Sequence, residues 1–300
     1  MNPITDLQDD LRRFLQDRTL TLREAPKPLK KQNRGTFVLQ HGDDPCFTVK
    51  SIAPDSAERI FARLKHIYDE TETIPKPVAV YRPAPGECLL IQEYVQGELL
   101  AEVGWNDEIS DLFGETVRRF HSCSLPDMDL PRLTRTEYQR ELRIRTAFYH
   151  PTEPYRKEKT VILKELQRLF PFESGFPGYM HTDIHLWNVI FQEQRIVLID
   201  EDQSAPGDPM RDFVYAAALH PSSQDARWES FLRCFPEQFQ QDSFWQTIKM
   251  YSLMKTLQIM ENDEKNLHTA VDHDKYWGSL YHSYGSGLKS LVPLWLSGKR

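Results

Sequence analysis

Between Gly178 and Phe191 the sequence GYMHTDIHLWNVIF sets His181, Asp183, His185 and Asn188 close together beside an apolar run, and Asp200 follows at the end of IVLID. Side chains of these types can ligate a metal, move a proton, or simply satisfy one another at a turn. His181 and His185 are four apart, the interval of two zinc ligands on one helix face in H-E-x-x-H. That geometry needs a helix. Gly175, Pro177 and Gly178 before the segment, and strand-like NVIF after it, predict a loop instead. No cysteine or third histidine is placed to complete a zinc site. A structural turn would account for a lone histidine, but has to explain Asp183, Asn188 and the acidic cluster downstream as well.

The rest of the chain limits the possibilities. Its 300 residues allow one large domain or two modest ones. With 40% hydrophobic and 27% charged residues the composition is that of a soluble globular protein. A net charge of -7 argues against nucleic acid as the main partner, since a phosphate backbone needs a basic footprint. MNPITDLQDDLRRFL has no apolar core of the kind a secretory signal carries, and no run approaches a membrane span. Cys46, Cys88, Cys123 and Cys234 form no C-x-x-C pair, so reduced thiols and a cytoplasmic setting are expected.

Periodicity gives the elements that must position the polar string. Residues 4 to 17 read as an amphipathic helix through Leu7, Leu11, Phe14 and Leu15. TFVLQ and CFTVK, separated by HGDDP, read as an antiparallel hairpin. DSAERIFARLKHIYDE reads as a helix capped at Asp55, and PVAVYRP and CLLIQEYV as two more strands. Beyond Gly97 the pattern turns helical: EISDLFGETVRRFHSC, RTEYQRELRIRTAF and KEKTVILKELQRLF, then residues 213–219, 244–261 and 274–291. Within that region, NVIF and IVLID form a short hairpin. The expectation is an α+β chain: a small antiparallel sheet domain over 1–97 and a mainly helical domain over 98–300 that contains the polar loop and its hairpin.

A third reading of the string uses all of its members. Asp183 and Asn188 are five apart, as in the D-x-x-x-x-N of a kinase catalytic loop, and Asp200 ends a strand after a hairpin, where a second metal-binding aspartate belongs. Phosphoryl transfer needs a carboxylate to orient and deprotonate the attacking hydroxyl, and hard oxygen ligands for Mg²⁺. HTDIHLWNVIFQEQRIVLIDEDQSAPGDPMRD resembles the pattern H-G-D-x-H-x-x-N, hairpin, I-D-x-x-x-x-x-x-G-D-P-x-x-D of the aminoglycoside phosphotransferase and choline kinase-like family. LFGETVRRFHS is similar to that family's G-x-x-x-A-x-x-H helix, placing Gly114 and His121. The resemblance runs from about residue 30 to 215 and implies a protein kinase-like two-lobed fold.

It also implies roles. Asp183 would be the catalytic base, and Asn188 and Asp200 would hold Mg²⁺. ATP would be the phosphoryl donor, and a small molecule with a hydroxyl the acceptor. His181, Asp208 and Asp212 would be structural, and His185 structural or near substrate. Lys50, at the end of CFTVK, would meet the phosphates in a pair with Glu58 on the following helix, and main-chain groups at Gln92, Glu93 and Tyr94 would bind adenine. The chain departs from the pattern in LKKQNRGTF, where Gly35 is the one glycine among Lys30, Lys31 and Arg34, and at Thr182, Trp187 and Glu201, which stand for a glycine, a small residue and an aromatic. Acidic and aromatic residues of the C-terminal helices suit a cationic acceptor. Arg140, Arg143, Arg145 and Arg156 would instead suit an anionic one. The alternatives kept beside a small-molecule kinase are a catalytically weak, kinase-fold nucleotide-binding protein and a zinc-dependent hydrolase.

Overall fold

The computed structural model describes residues 3–24, 36–104, 106–124, 155–169, 178–212, 242–265 and 284–291. The chain divides into two compact units, Met1–Gly104 with Trp187–Asp202, and Trp105–Leu186 with Gln203–Arg300. The expectation placed the 189–198 hairpin with the helical region. It groups with the N-terminal unit because Glu98 and Leu99 pair with Phe191 and Ile190, and Leu198 N–H reaches the Thr73 carbonyl at 2.8 Å.

The first unit opens with helix α1 (Pro3–Phe14), and β1 (Leu20–Glu24), β2 (Thr36–His41) and β3 (Asp44–Ser51) follow. A short 3-10 turn at Pro54–Ser56 leads into α2 (Ala57–Thr71), then come β4 (Pro77–Tyr81) and β5 (Leu89–Glu93). The five strands form an antiparallel sheet in the order β1-β2-β3-β5-β4. Alternation of β-branched and aromatic residues favours this pleat, and Leu20, Leu22, Leu39, Val49, Leu89 and Ile91 pack one face of it against Leu11 of α1. Lys50 therefore sits on an interior strand, paired with Thr36 on one side and Leu90 on the other. Helix α2 starts one residue later than an N-cap at Asp55 predicts, because Pro54 opens a separate turn, and its N-cap Ser56 makes no side-chain cap bond. A three-stranded sheet, β6 (Glu98–Leu99), β8 (Val189–Gln192) and β9 (Arg195–Leu198), completes the unit.

The second unit is built on α3 (Asp107–His121), α4 (Arg156–Leu169) and α5 (Asp242–Lys265), with β7 (Gly178–Met180) paired to β10 (Ala205–Gly207). Asn106 caps α3 by accepting the Ile109 N–H at 2.8 Å, an interaction worth about 1 kcal/mol. In α4 and α5, Lys249 Nζ donates to Glu165 Oε1 and to the Leu288 carbonyl, both at 2.5 Å. The expected helix over 274–291 does not run through its described end. Gly285 and Gly287 take positive φ, and only Ser286–Leu288 forms a 3-10 turn. The helices expected in RTEYQRELRIRTAF and at 213–219 lie outside the described residues. Among the described residues no helix is long and apolar enough to cross a membrane.

Candidate active site

In the second unit the polar string begins where β7 ends. A side chain at Gly178 would come within 2.8 Å of the His121 carbonyl and 2.7 Å of Pro209, so only glycine lets β7 pack this closely. The next two backbone N–H groups, of His181 and Thr182, donate to Asp212 Oδ2 at 2.6 Å and Oδ1 at 2.8 Å, and His121 Nε2 lies 3.1 Å from Oδ2. Asp212 is 1% exposed, and its charge is compensated by this cluster rather than by water. The sequence expected Asp212 to be structural, holding the loop after the metal-binding aspartate; these contacts hold the backbone at His181 and Thr182.

Thr182 explains why the related pattern has glycine here. It stands at φ +74°, a conformation in which a β-branched residue is strained and which the bonded N–H groups hold in place. Asp208, the other expected anchor, accepts from Met210 N–H at 3.0 Å and from Tyr251 OH of α5 at 2.9 Å. On this braced backbone Asp183 keeps a side chain 39% exposed, with His185 Nε2 3.4 Å from its Oδ2. Residues 181–185 are non-helical and His181 is fully buried, so the two histidines do not share a helix face as a zinc site of the H-E-x-x-H kind requires.

In the first unit a second set converges. The β8–β9 hairpin pairs Val189 with Leu198, and Ile199 N–H donates to the Asn188 carbonyl at 2.9 Å. Asn188 and Asp200 therefore flank the same end of one hairpin. Asp200 adopts φ +66°, a left-handed conformation that aspartate tolerates better than most residues. Lys50 reaches in from β3, its Nζ 4.0 Å from Asp200 Oδ1 and 3.8 Å from Glu201 Oε2. Burial pushes the Lys50 ammonium toward neutrality, but Glu201, then Asp200 and Asp202, outweigh it and raise its pKa. Glu201 is fully buried and accepts from Gln92 Nε2 at 2.5 Å. Arg63 of α2 donates to the Asp202 carbonyl at 2.8 Å.

Lys50, Asn188 and Asp200 thus belong to one unit, and Asp183 to the other. One expectation needs correction. Glu58 does not meet Lys50: it is 72% exposed and lies 3.3 Å from Arg82. It falls off the buried face of α2, which runs through Ala57, Ile60, Arg63, Leu64 and Ile67. At the segment expected to bind adenine through its main chain, the N–H groups of Glu93 and Tyr94 donate to the Lys76 and Cys46 carbonyls, each at 2.9 Å, and Gln92 is fully buried. Sequence reasoning missed Glu201, Arg63 and the Gln92 side chain. The signal for Glu201 was its departure from the aromatic usual after Asp200. Lys30, Lys31, Arg34 and Gly35 lie outside the described residues.

The model of the phosphotransferase enzyme family matches residues 27–232, more than half of the chain. The chain belongs to this family. Solved structures agree on the fold. A spectinomycin phosphotransferase in complex with ADP and spectinomycin is 13% identical, with a TM-score of 0.61 over 94% of this chain and 97% of that one. An aminoglycoside phosphotransferase in ternary complex with ADP and hygromycin B is 13% identical, with a TM-score of 0.65 over 94% and 99%. A choline/ethanolamine kinase family protein from Mesorhizobium loti is 15% identical, with a TM-score of 0.60 over 96% and 98%. No curated protein matches the chain by sequence. The fold is the α+β, two-lobed arrangement of kinase-like phosphotransferases, as the sequence resemblance implied.

Proposed function

We propose that this member of the phosphotransferase family transfers the γ-phosphoryl group of ATP to a hydroxyl of a small molecule, with Mg²⁺. The observation that carries the reading is the cluster of the first unit: Asn188 and Asp200 at one hairpin end, with the Lys50 ammonium 4.0 Å from Asp200. Hard oxygen donors beside a buried cation suit a metal-bound polyphosphate, and the donor set fits the oxygen preference of Mg²⁺. Asn188 and Asp200 would hold the ion, which when bound would neutralise charge on the β- and γ-phosphates. Lys50 would hold the α- and β-phosphates.

Asp183 then orients the acceptor hydroxyl and takes its proton. The hydroxyl oxygen bonds to the γ-phosphorus, the bond from that phosphorus to the bridging oxygen of the β-phosphate breaks, and ADP leaves. The ADP, spectinomycin and hygromycin B bound in the structural relatives support a nucleotide donor and a small-molecule acceptor. Of the aromatic residues that suggested a cationic acceptor, Trp245, Tyr251 and Tyr284 are buried, and Tyr276, Trp277 and Tyr281 lie outside the described residues. The test is ATP turnover with Mg²⁺ across a panel of small alcohols and amino-alcohols, comparing the wild type with Asp183→Ala. Turnover that needs an acceptor and is lost in the variant is expected. Folded wild type that consumes no ATP with any acceptor would count against the reading.

A further inference from the structure

We propose that Glu201, and not a glutamate of α2, positions Lys50 for the phosphoryl donor, with Gln92 holding Glu201 in turn. This rests on the nucleotide-binding reading above and adds a residue to it. A lysine is a point charge on a flexible four-carbon stem, so a phosphate-binding lysine needs a fixed counter-charge to place its head. Glu58 is turned out to solvent beside Arg82, and Asp200 is 40% exposed and already assigned to metal. Glu201 is the remaining carboxylate within 4 Å of Lys50 Nζ among the described residues, and it is fully buried.

The carboxylate is also aimed. Its Oε1 takes the Gln92 amide at 2.5 Å, while Oε2 carries no hydrogen bond among the described residues and faces Lys50 at 3.8 Å. Sheet register fixes the row. Gln92 pairs with Thr48 and Leu90 with Lys50, so Gln92 and Lys50 lie on one face of adjacent strands, one pair apart. Arg63 fixes the backbone on the far side of Glu201 through the Asp202 carbonyl. At 3.8 Å the contact is an ion pair and not a hydrogen bond, so Lys50 is oriented without using its donors, and its buried Nζ makes no hydrogen bond among the described residues. A positioned ammonium with its donors uncommitted fits the oxygens of a nucleotide polyphosphate.

The test is a double-mutant cycle on Mg·ATP affinity, measured by titration calorimetry for wild type, Glu201→Gln, Lys50→Ala and the double variant. Glutamine keeps an oxygen for Gln92 and removes only the charge. We expect Glu201→Gln to weaken binding about tenfold in the wild-type background and not at all beside Lys50→Ala, since the effect passes through Lys50. Should Glu201→Gln unfold, Gln92→Met serves in its place, with about a threefold loss that again vanishes in the Lys50→Ala background. Unchanged affinity in the wild-type background, or equal weakening in both backgrounds, would overturn the proposal. Wild type that binds no Mg·ATP would instead remove the nucleotide reading, and this inference with it.

Discussion

Two buried carboxylates, Asp212 in the second unit and Glu201 in the first, have opposite surroundings. Asp212 accepts two backbone N–H groups and faces the His121 ring, which leaves it fully engaged. Among the described residues Glu201 accepts one hydrogen bond and turns its other oxygen to an ammonium that has none. Buried polar groups are nearly always satisfied, so exceptions need a reason. The engaged carboxylate is scaffold: it shapes the backbone that presents Asp183. The partly engaged one would belong to the proposed nucleotide site, where its lysine would keep its donors for a ligand.

Substitutions should separate these roles. The largest effect is expected on turnover at Asp183, whose side chain is 39% exposed beside His185. Asp183→Ala should lower kcat by roughly 10²–10⁴-fold with the melting temperature unchanged, as loss of a general base does. Next comes Asp212→Ala, which strands the His181 and Thr182 N–H groups and should cost about 3–5 kcal/mol in urea unfolding. A fall of the same size for Glu201→Gln would erase the contrast, because that change keeps the Gln92 bond and should cost less than about 1 kcal/mol.

A smaller effect concerns pH. Burial pushes Glu165 up, but hydrogen bonds from Arg168 and then Lys249 outweigh it and hold its pKa below the ordinary value. A depressed carboxylate stabilises the fold above its unfolded pKa and loses that contribution as pH falls through the folded one. The stability gap between wild type and Glu165→Gln should therefore shrink as unfolding is followed from neutral pH into the acid range. Smallest is Thr182→Gly, which relieves the φ of +74° and should change stability by less than about 1 kcal/mol, in the stabilising direction.

Much of this was legible in the sequence where the information is local. The hairpin around Lys50 and the polar string are short-range patterns, and Asp183, Asn188 and Asp200 stood out through their places in one long ordered string of motif residues. What stayed hidden depends on helical phase or on partners far apart in the chain. Glu58 occupies the first turn of α2, just off its buried face, after a turn that Pro54 opens. Strand β1 passed unnoticed because LTLRE is short and ends in charge, and its pairing with β2 shows only in three dimensions. Glu201 looked like a loose departure from a pattern until the fold brought β3, β5 and the loop after β9 together.

The most direct test of the central claim is mass spectrometry of a metabolite extract incubated with the protein, Mg²⁺ and ATP labelled on the γ-phosphate. Wild type should add one labelled phosphate to a hydroxyl-bearing compound, and Asp183→Ala and Asp200→Ala, both folded, should add none. Labelled product made equally well by those variants, or none made by a folded wild type from any fraction, would contradict the account.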